Sequence, residues 1–331
     1  MKNKILLLLC ITIVATVFLS GCLKQGPPTA QYKNDIITIE EYYISDLTPY
    51  ADSEVVIEFL VQNNGENPVS RVKVRFFEHQ YLEIVELKCM GTEPEGGDTC
   101  VFDKGNKFGE LMPSDVRKID LRLRAPSKNI IKKPTNLLVR YYIEYDYGGF
   151  RKMDLPIIDG ETVRTPSTRY SQSTPTYGPI RLTFEAPERG EHKENGKVVK
   201  DYWGVKGQPF EVKMKLADVA SASLKDNSPI INAGDIKLDL KNSLQRAYYL
   251  DKAGTKTMLP CDFCVGGEGN CPGSDPNYLY SNKTVKVPGE LKCNFQSFDF
   301  TEPELLATIW ADFSYTYQYT ITEELEVQPL E

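Results

Sequence analysis

Strict alternation of apolar and polar residues runs through most of this chain and restricts it to sheet structures. Segment 71–76 is the clearest case, because arginine and lysine occupy the odd positions and valine and phenylalanine the even ones. Successive side chains of a β-strand point to opposite faces, so a period of two predicts strands with one buried and one solvated face. The same alternation occurs at 55–61, 119–124, 139–147, 180–184, 210–216, 236–240 and 309–321. No segment has a convincing helical period, and we therefore expect an all-β protein.

The alternating pattern is present twice, and each half ends in a long aromatic stripe. Every second residue of 139–147 and of 309–321 is apolar or tyrosine. Short strands separated by turn signals, with about 130 to 150 residues in each half, are typical of antiparallel sandwiches. We predict two tandem antiparallel β-sandwich domains, immunoglobulin-like in character, at 32–160 and 180–331. The two halves resemble each other in pattern rather than in identity, and we interpret them as diverged copies of one unit.

Two stretches between these patterns indicate a turn and a linker. Gly148-Gly149 follows the first aromatic stripe and predicts a two-residue hairpin turn, since glycine readily adopts the positive φ that such turns require. The alternation then stops, and 161–179 is rich in serine, threonine and proline. Proline removes hydrogen-bond donors and the short polar residues supply no core, so we expect an exposed linker here. A tight interdomain loop is the alternative.

The start of the first half resembles a known class of surface domain. Between the strands of Val55–Phe76 the chain carries Asn63-Asn64-Gly65-Glu66-Asn67-Pro68. This strand, Asn-x-Gly turn and strand is similar to the opening of the immunoglobulin-like, adhesion-related domains of bacterial and archaeal surface proteins. The resemblance implies a β-sandwich exposed on a cell surface. The Cys, Trp and Cys arrangement of antibody domains is absent from this chain.

The N-terminus carries an export signal. Lys2 and Lys4 precede the apolar run Ile5–Leu19, and the run ends in Leu19-Ser20-Gly21-Cys22. This motif resembles the lipobox of prokaryotic lipoproteins, which implies cleavage before Cys22 and acylation of its thiol. The resemblance divides the N-terminus into a signal peptide, 1–21, and a polar tether, 22–31. An uncleaved anchor and a released secreted protein are the alternatives, although the run is shorter than the roughly 20 residues of a membrane-spanning helix.

The charge of the mature chain bears on its partners. Loss of Lys2 and Lys4 with the signal peptide takes the formal net charge from −7 to −9. An acidic chain is repelled by nucleic acid and by anionic lipid, so we expect neither as a direct partner. The predicted partners are the membrane, through the N-terminal lipid, and a protein or glycan at the cell surface. No cofactor is expected.

Six further cysteines form an even set that suits an oxidising exterior. Cys89 and Cys100 bracket an acidic, glycine-rich loop, and a bridge across it would contribute about 3 kcal/mol by constraining the unfolded chain. That loop could also bind calcium, but it lacks the EF-hand spacing. The other four, Cys261, Cys264, Cys271 and Cys293, fit two disulfides, a zinc site or a redox pair. For disulfides we favour Cys271 paired with Cys261 or Cys264, and Cys293 paired with the remaining one.

The remaining polar residues suggest little chemistry. His79 and His192 have no sequence neighbours that indicate a triad or a metal site, so we expect both on the surface. Asn282 begins the only glycosylation sequon, Asn282-Lys283-Thr284. Nothing in the linear order selects a catalytic pair among the 46 carboxylates. The tyrosine pairs could stack on sugars or dock a partner, but tyrosine is also a favoured strand residue.

These features favour a non-catalytic surface protein. We expect a lipid-anchored protein outside the cytoplasm that acts as a binding or adhesion module or as a structural subunit of an envelope assembly. The alternative is an envelope carbohydrate-active enzyme or a carbohydrate-binding accessory module, which would use carboxylates and tyrosines in a cleft.

Overall fold

A computed structural model describes residues 34–94, 97–221, 229–298 and 300–330, and these residues form strands and turns without a helix. Within them there is accordingly no helix that is long and apolar enough to cross a membrane. The predicted signal peptide, Cys22 and the tether lie outside the described residues. The prediction of an all-β fold is confirmed.

The described residues form 23 strands. Those of the first half are β1 (Ile37–Ile44), β2 (Glu54–Asn63), β3 (Arg71–Glu78), β4 (Glu83–Cys89), β5 (Thr99–Asp103), β6 (Val116–Arg124) and β7 (Thr135–Ile158). Then come β8 (Ser171–Gln172), β9 (Ile180–Glu185), β10 (Glu188–Glu194), β11 (Lys197–Tyr202), β12 (Gly204–Val205), β13 (Phe210–Asp218), β14 (Ile230–Ile231), β15 (Ile236–Lys241) and β16 (Leu244–Arg246). The last are β17 (Tyr248–Leu250), β18 (Lys256–Met258), β19 (Phe263–Val265), β20 (Leu279–Ser281), β21 (Val285–Lys286), β22 (Gly289–Ser297) and β23 (Glu304–Val327).

The strand order is repeated in the two halves. One four-stranded sheet has the order β1-β2-β6-β4, and a second has the order β9-β13-β22-β16. A larger sheet of nine strands has the path β5-β3-β7-β23-β15-β20-β19, with β8 and β12 paired to β7. Strands β1 to β7 therefore correspond, in chain order, to β9, β13, β15, β16, β20, β22 and β23. The two halves therefore share one strand topology, although their sequences resemble each other only in pattern.

The two longest strands join the halves in one sheet. β7 and β23 each have 24 residues and pair antiparallel along their full length, from Thr135 opposite Val327 to Ile158 opposite Glu304. The first part of β7 pairs on its other side with β3, and the first part of β23 pairs with β15. The later part of each long strand therefore lies beside the other half. The described residues cluster as one compact unit, and the boundaries of two separate domains stay a prediction.

The prediction of a hairpin turn at Gly148-Gly149 is wrong. Both glycines lie inside β7, which continues through them without a reversal. A Cβ atom at Gly148 would lie 2.7 Å from the Phe313 carbonyl oxygen, and one at Gly149 would lie 2.2 Å from Thr176 Oγ1. Both distances are too short for a side chain, so Gly148 allows close approach of the Phe313 backbone and Gly149 close approach of the Thr176 and Phe313 side chains.

The segment predicted as an exposed linker is partly attached to the sheet. Ser171 and Gln172 form β8, which pairs with Asp154 and Met153 of β7. The Gln172 side chain also donates to the Phe184 carbonyl oxygen at 2.7 Å and accepts from the Phe184 amide at 3.1 Å. Segment 161–179 is therefore held on both sides by strands that belong to different halves.

The core follows the alternation of the sequence. In the first half, Phe59 of β2 stacks on Tyr141 of β7 with ring centroids 5.2 Å apart, which brings the four-stranded sheet onto the shared sheet. The buried apolar side chains of both halves form one continuous cluster. Tyr319 of β23 donates its hydroxyl to the Ile37 carbonyl oxygen of β1 at 2.9 Å, so the second half contributes directly to the core of the first.

Candidate binding cleft at the β10–β11 hairpin

A two-stranded hairpin of β10 and β11 lies outside the larger sheets and forms one wall of a cleft. Asn195 and Gly196 connect the strands with φ angles of 49° and 77°. Positive φ at both residues is what a type I′ hairpin turn requires, and Asn-Gly is the dipeptide that adopts it most readily. The turn fixes the register, in which Glu194 faces Lys197 and Gly190 faces Asp201.

This register brings His192 and Asp201 together as diagonal neighbours on one face of the hairpin. His192 Nδ1 lies 2.9 Å and 3.0 Å from the two carboxylate oxygens of Asp201. A carboxylate can only accept, so Nδ1 carries the proton and Asp201 fixes the tautomer and orientation of the ring. His192 Nε2 is buried without a hydrogen-bond partner among the described residues, and the nearest oxygen of Glu194 is 3.8 Å away.

The opposite wall of the cleft is segment 165–170, which one carboxylate holds in place. Glu304, the first residue of β23, accepts hydrogen bonds from the backbone amides of Ser167 at 2.5 Å and Thr168 at 2.8 Å. It also accepts from both hydroxyls, that of Ser167 at 2.8 Å and that of Thr168 at shorter range. Although burial alone would raise it, these hydrogen bonds hold the pKa of Glu304 below its usual value.

Aromatic rings line the cleft between these two walls. The rings of Tyr170 and Tyr202 have centroids 4.9 Å apart. Tyr170 donates to the Phe184 carbonyl oxygen at 3.1 Å, and burial raises its pKa to about 12. Trp203 packs over the hairpin at Gly190, where a Cβ atom would lie 3.1 Å from the indole. Glycine therefore lets the indole lie against the strand.

An ion pair joins segment 165–170 to the hairpin. Arg169 of the segment donates to Glu194 of the hairpin at 3.0 Å and links the two walls. The resulting cleft has a volume of about 630 Å³, which is in the range of small-molecule sites. Its aromatic rings offer apolar surface to a ring-shaped or extended ligand, and its charged side chains offer fixed hydrogen-bonding groups at the rim.

The structure places all six predicted disulfide cysteines in bonds. Cys89 is bonded to Cys100, Cys261 to Cys293, and Cys264 to Cys271. This pairing is one of the two arrangements that the spacing favoured. None of these residues lines the hairpin cleft. Their role is structural: Cys89–Cys100, for example, joins β4 of one sheet to β5 of the other.

The predicted glycosylation site Asn282 and the histidine His79 also lie outside the cleft. Asn282 is exposed, and its amide donates to the Cys261 carbonyl oxygen at 3.5 Å. His79 Nδ1 lies 2.5 Å from the Leu82 carbonyl oxygen in a turn. In the part of the chain that the structure describes, no group of three histidine, cysteine or acidic side chains is arranged to hold a metal ion.

The pairing of His192 with Asp201 was not predicted from the sequence. The signal for it was present, because Asn195-Gly196 predicts a two-residue hairpin whose register follows by counting outward from the turn. The contribution of Glu304 had no comparable signal, since it contacts a segment 136 residues earlier in the chain.

Comparisons with known proteins yield distant structural similarities only. No family model matches the chain, and no curated protein matches it. It is similar to domains D2 and D3 of the major pilin SpaD from Corynebacterium diphtheriae, with 11% identity over 67% of this chain and 88% of that chain and a TM-score of 0.22. The Enterococcus faecalis MSCRAMM ACE has 7% identity over 88% and 95% of the two chains and a TM-score of 0.19. The collagen adhesin CNA from S. aureus has 6% identity over 90% and 99% and a TM-score of 0.15. Because these scores are low, we infer nothing about function from them.

Proposed function

We propose that this chain is a non-catalytic, lipid-anchored cell-surface protein whose second half presents the hairpin cleft to a protein or glycan partner. The lipobox-like motif at Cys22 supports an anchor outside the cytoplasm. The three disulfides support the same compartment, because such bonds persist in oxidising environments. The surface role proposed here is that of a binding or adhesion module or of a structural subunit of an envelope assembly.

The observation that carries a binding role is that several polar side chains of the cleft are already held by neighbouring groups, although His192 Nε2 has no partner among the described residues. Asp201 holds His192, Glu194 holds Arg169, and Glu304 holds both hydroxyls of segment 167–168. Serine and threonine hydroxyls that donate to a carboxylate are not presented to the histidine as nucleophiles. A rigid surface of this kind favours recognition, because little ordering entropy is lost when a ligand binds.

The anchor is tested by replacing the cysteine that would carry the lipid. In the native host, or in a bacterium that processes lipoproteins, metabolic labelling with an alkyne fatty acid should mark the wild-type protein and leave Cys22→Ser unlabelled. The wild type should fractionate with membranes. Equal labelling of the two forms, or an intact N-terminus on soluble cytoplasmic protein, contradicts the proposed anchor.

A second candidate, a carbohydrate-binding accessory module, is favoured by the aromatic walls of the cleft. Tyr170, Tyr202 and Trp203 offer flat apolar faces of the kind that pack against sugar rings, with hydrogen-bonding groups close by. A glycan array of the purified protein, repeated with Trp203→Leu, tests this candidate. Tyr81→Ala is the matched control, because Tyr81 is an aromatic side chain with 78% exposure that lies outside the cleft. Glycan signals that survive Trp203→Leu unchanged contradict binding at this site.

A further inference from the structure

A second cleft lies in the second half, between the β17–β18 hairpin and the loop that follows β19. Its volume is about 410 Å³. Six of its lining residues carry the chemistry discussed below: Arg246, Tyr248, Lys256, Met258, Glu268 and Tyr278. We call it the Arg246 cleft. It shares no lining residue with the hairpin cleft.

Arg246 is a half-buried cation without an acidic partner. Its Nε atom is buried and has no hydrogen-bond partner among the described residues. None of the ion pairs that the described residues form includes its guanidinium. Burial lowers the pKa of Arg246 below its usual value, and the negative charge of Glu268 partly opposes this effect. A guanidinium taken out of water without a counter-ion is unfavourable, and an anion that enters the cleft removes that penalty.

Two lysines add positive charge near the same cleft. Lys256 Nζ lies 4.2 Å from the centroid of the Tyr248 ring, and Lys237 Nζ lies 3.4 Å from that of Tyr278. These contacts hold the ammonium groups by cation–π attraction and leave their hydrogen-bond donors available. Glu268 is the single acid among the lining residues, so two cations and one anion line the cleft. The net positive balance suits an anionic group.

The wall that carries Glu268 and Tyr278 is fixed before any ligand enters. The Cys264–Cys271 bond closes the loop, and the Gly267 amide donates to the Gly273 carbonyl oxygen at 2.8 Å. A Cβ atom at Gly273 would lie 2.2 Å from the Tyr280 ring, so the loop lies directly against that ring. Such a wall loses little entropy on binding.

We propose that the Arg246 cleft binds an oxyanion, a carboxylate or a phosphate, carried on a small organic body. The planar guanidinium matches either group with two parallel hydrogen bonds. The rings of Tyr248 and Tyr278 and the Met258 side chain offer apolar contact to the rest of the ligand. This site is independent of the function proposed for the hairpin cleft.

Calorimetric titration of the purified full chain with glucuronate, glucose and inorganic phosphate tests this site. Glucuronate and glucose differ at the carboxylate, so binding of glucuronate alone identifies a carboxylate ligand. Phosphate binding without glucuronate binding identifies a phosphate ligand. The affinity for either anion should fall as the salt concentration rises, because salt screens the attraction between the charges. Saturation by neither anion at millimolar concentration overturns the proposal, as does equal binding of glucose.

Three variants locate the binding. Arg246→Gln should weaken it about tenfold or more, since a charge-assisted pair is lost. Arg164→Gln is the matched control, because Arg164 is exposed and lies outside the Arg246 cleft, and it should leave the affinity unchanged. Glu268→Gln should tighten binding by removing the acid that repels the anion, a gain that misfolding cannot mimic. Unchanged affinity in a folded Arg246→Gln, or weaker binding in Glu268→Gln, overturns the proposal.

Discussion

The two halves of this chain should not fold apart, because each completes the other through the shared long strands. The first half, expressed alone as 34–160, keeps all of β7 but loses residues 315–327 of β23. The whole of 135–147 then loses the strand that pairs with it on one edge. The lost segment contains five core side chains: Tyr315, Tyr317, Tyr319, Leu325 and Val327, none of them more than 4% exposed.

The size of the effect follows from this burial. A fully buried side chain of this size contributes about 1.5–3 kcal/mol relative to its exposed state, so five together supply roughly 10 kcal/mol. The free energy of unfolding of an entire domain is only about 5–15 kcal/mol. We therefore expect isolated 34–160 to lack a cooperative unfolding transition and to give poorly dispersed amide resonances. Mixing it with separately produced 180–331 should restore both signals.

The control separates chain continuity from packing. A full chain cut at a protease site inserted after Gly160, an exposed turn residue beyond β7, keeps every residue of both long strands. The two fragments should remain associated and should unfold as one unit. A cooperative transition of isolated 34–160 at the melting temperature of the full chain would refute this reasoning and would support two independent domains.

Three further predictions concern single positions. Gly148→Ala should lower the free energy of unfolding by about 1–3 kcal/mol in urea titrations, because the added methyl group meets the Phe313 carbonyl oxygen at 2.7 Å. An unchanged free energy of unfolding would mean that β7 and β23 can separate at this point without penalty. Replacing the Cys261–Cys293 bond by serines should cost about 4 kcal/mol of stability, and replacing the Cys264–Cys271 bond about 2 kcal/mol, because the first bond closes 32 residues and the second 7. A larger fall in melting temperature for the Cys264–Cys271 variant contradicts this explanation. The pKa of Glu304 is lower in the folded state, so Glu304 stabilises the fold above the pKa of an unfolded glutamate, and this contribution is lost as pH falls through the folded pKa. The difference in free energy of unfolding between wild type and Glu304→Gln should therefore shrink on acidification. A constant difference from pH 7 to pH 3 contradicts this role of Glu304.

Local alternation predicted the strands because burial acts on each residue through its immediate sheet face. Val55, Ile57, Phe59 and Val61 share a face, and the structure buries all four. The same rule holds for the tyrosines of β7 and β23. These positions need only the period of two, since the pleat itself sends alternate side chains to opposite faces.

Long-range pairing left no comparable trace. Gly148-Gly149 has the composition of a turn, but its glycines are required by Phe313 and Thr176, which are distant in sequence. No local pattern distinguishes a glycine that reverses the chain from one that admits a neighbouring backbone. The shared sheet was missed for the same reason, because an edge strand and a central strand differ only in what lies beside them.

The duplicated scaffold explains where the candidate sites lie. In the first half, β1 leads to β2 through 45–53, whereas in the second half the equivalent connection from β9 to β13 contains the β10–β11 hairpin. Likewise 90–98 connects β4 to β5, whereas the equivalent connection from β16 to β20 contains β17, β18 and β19. Each cleft therefore has one wall on a segment that the second half has in addition to the repeated unit, the β10–β11 hairpin in one cleft and the β17–β18 hairpin in the other. Side chains of the hairpin are mostly exposed, so such segments can vary without disturbing the core beneath them. Among its described residues the first half has neither addition, so the two proposed binding sites depend on the additions of the second half, while the first half completes the shared sheet.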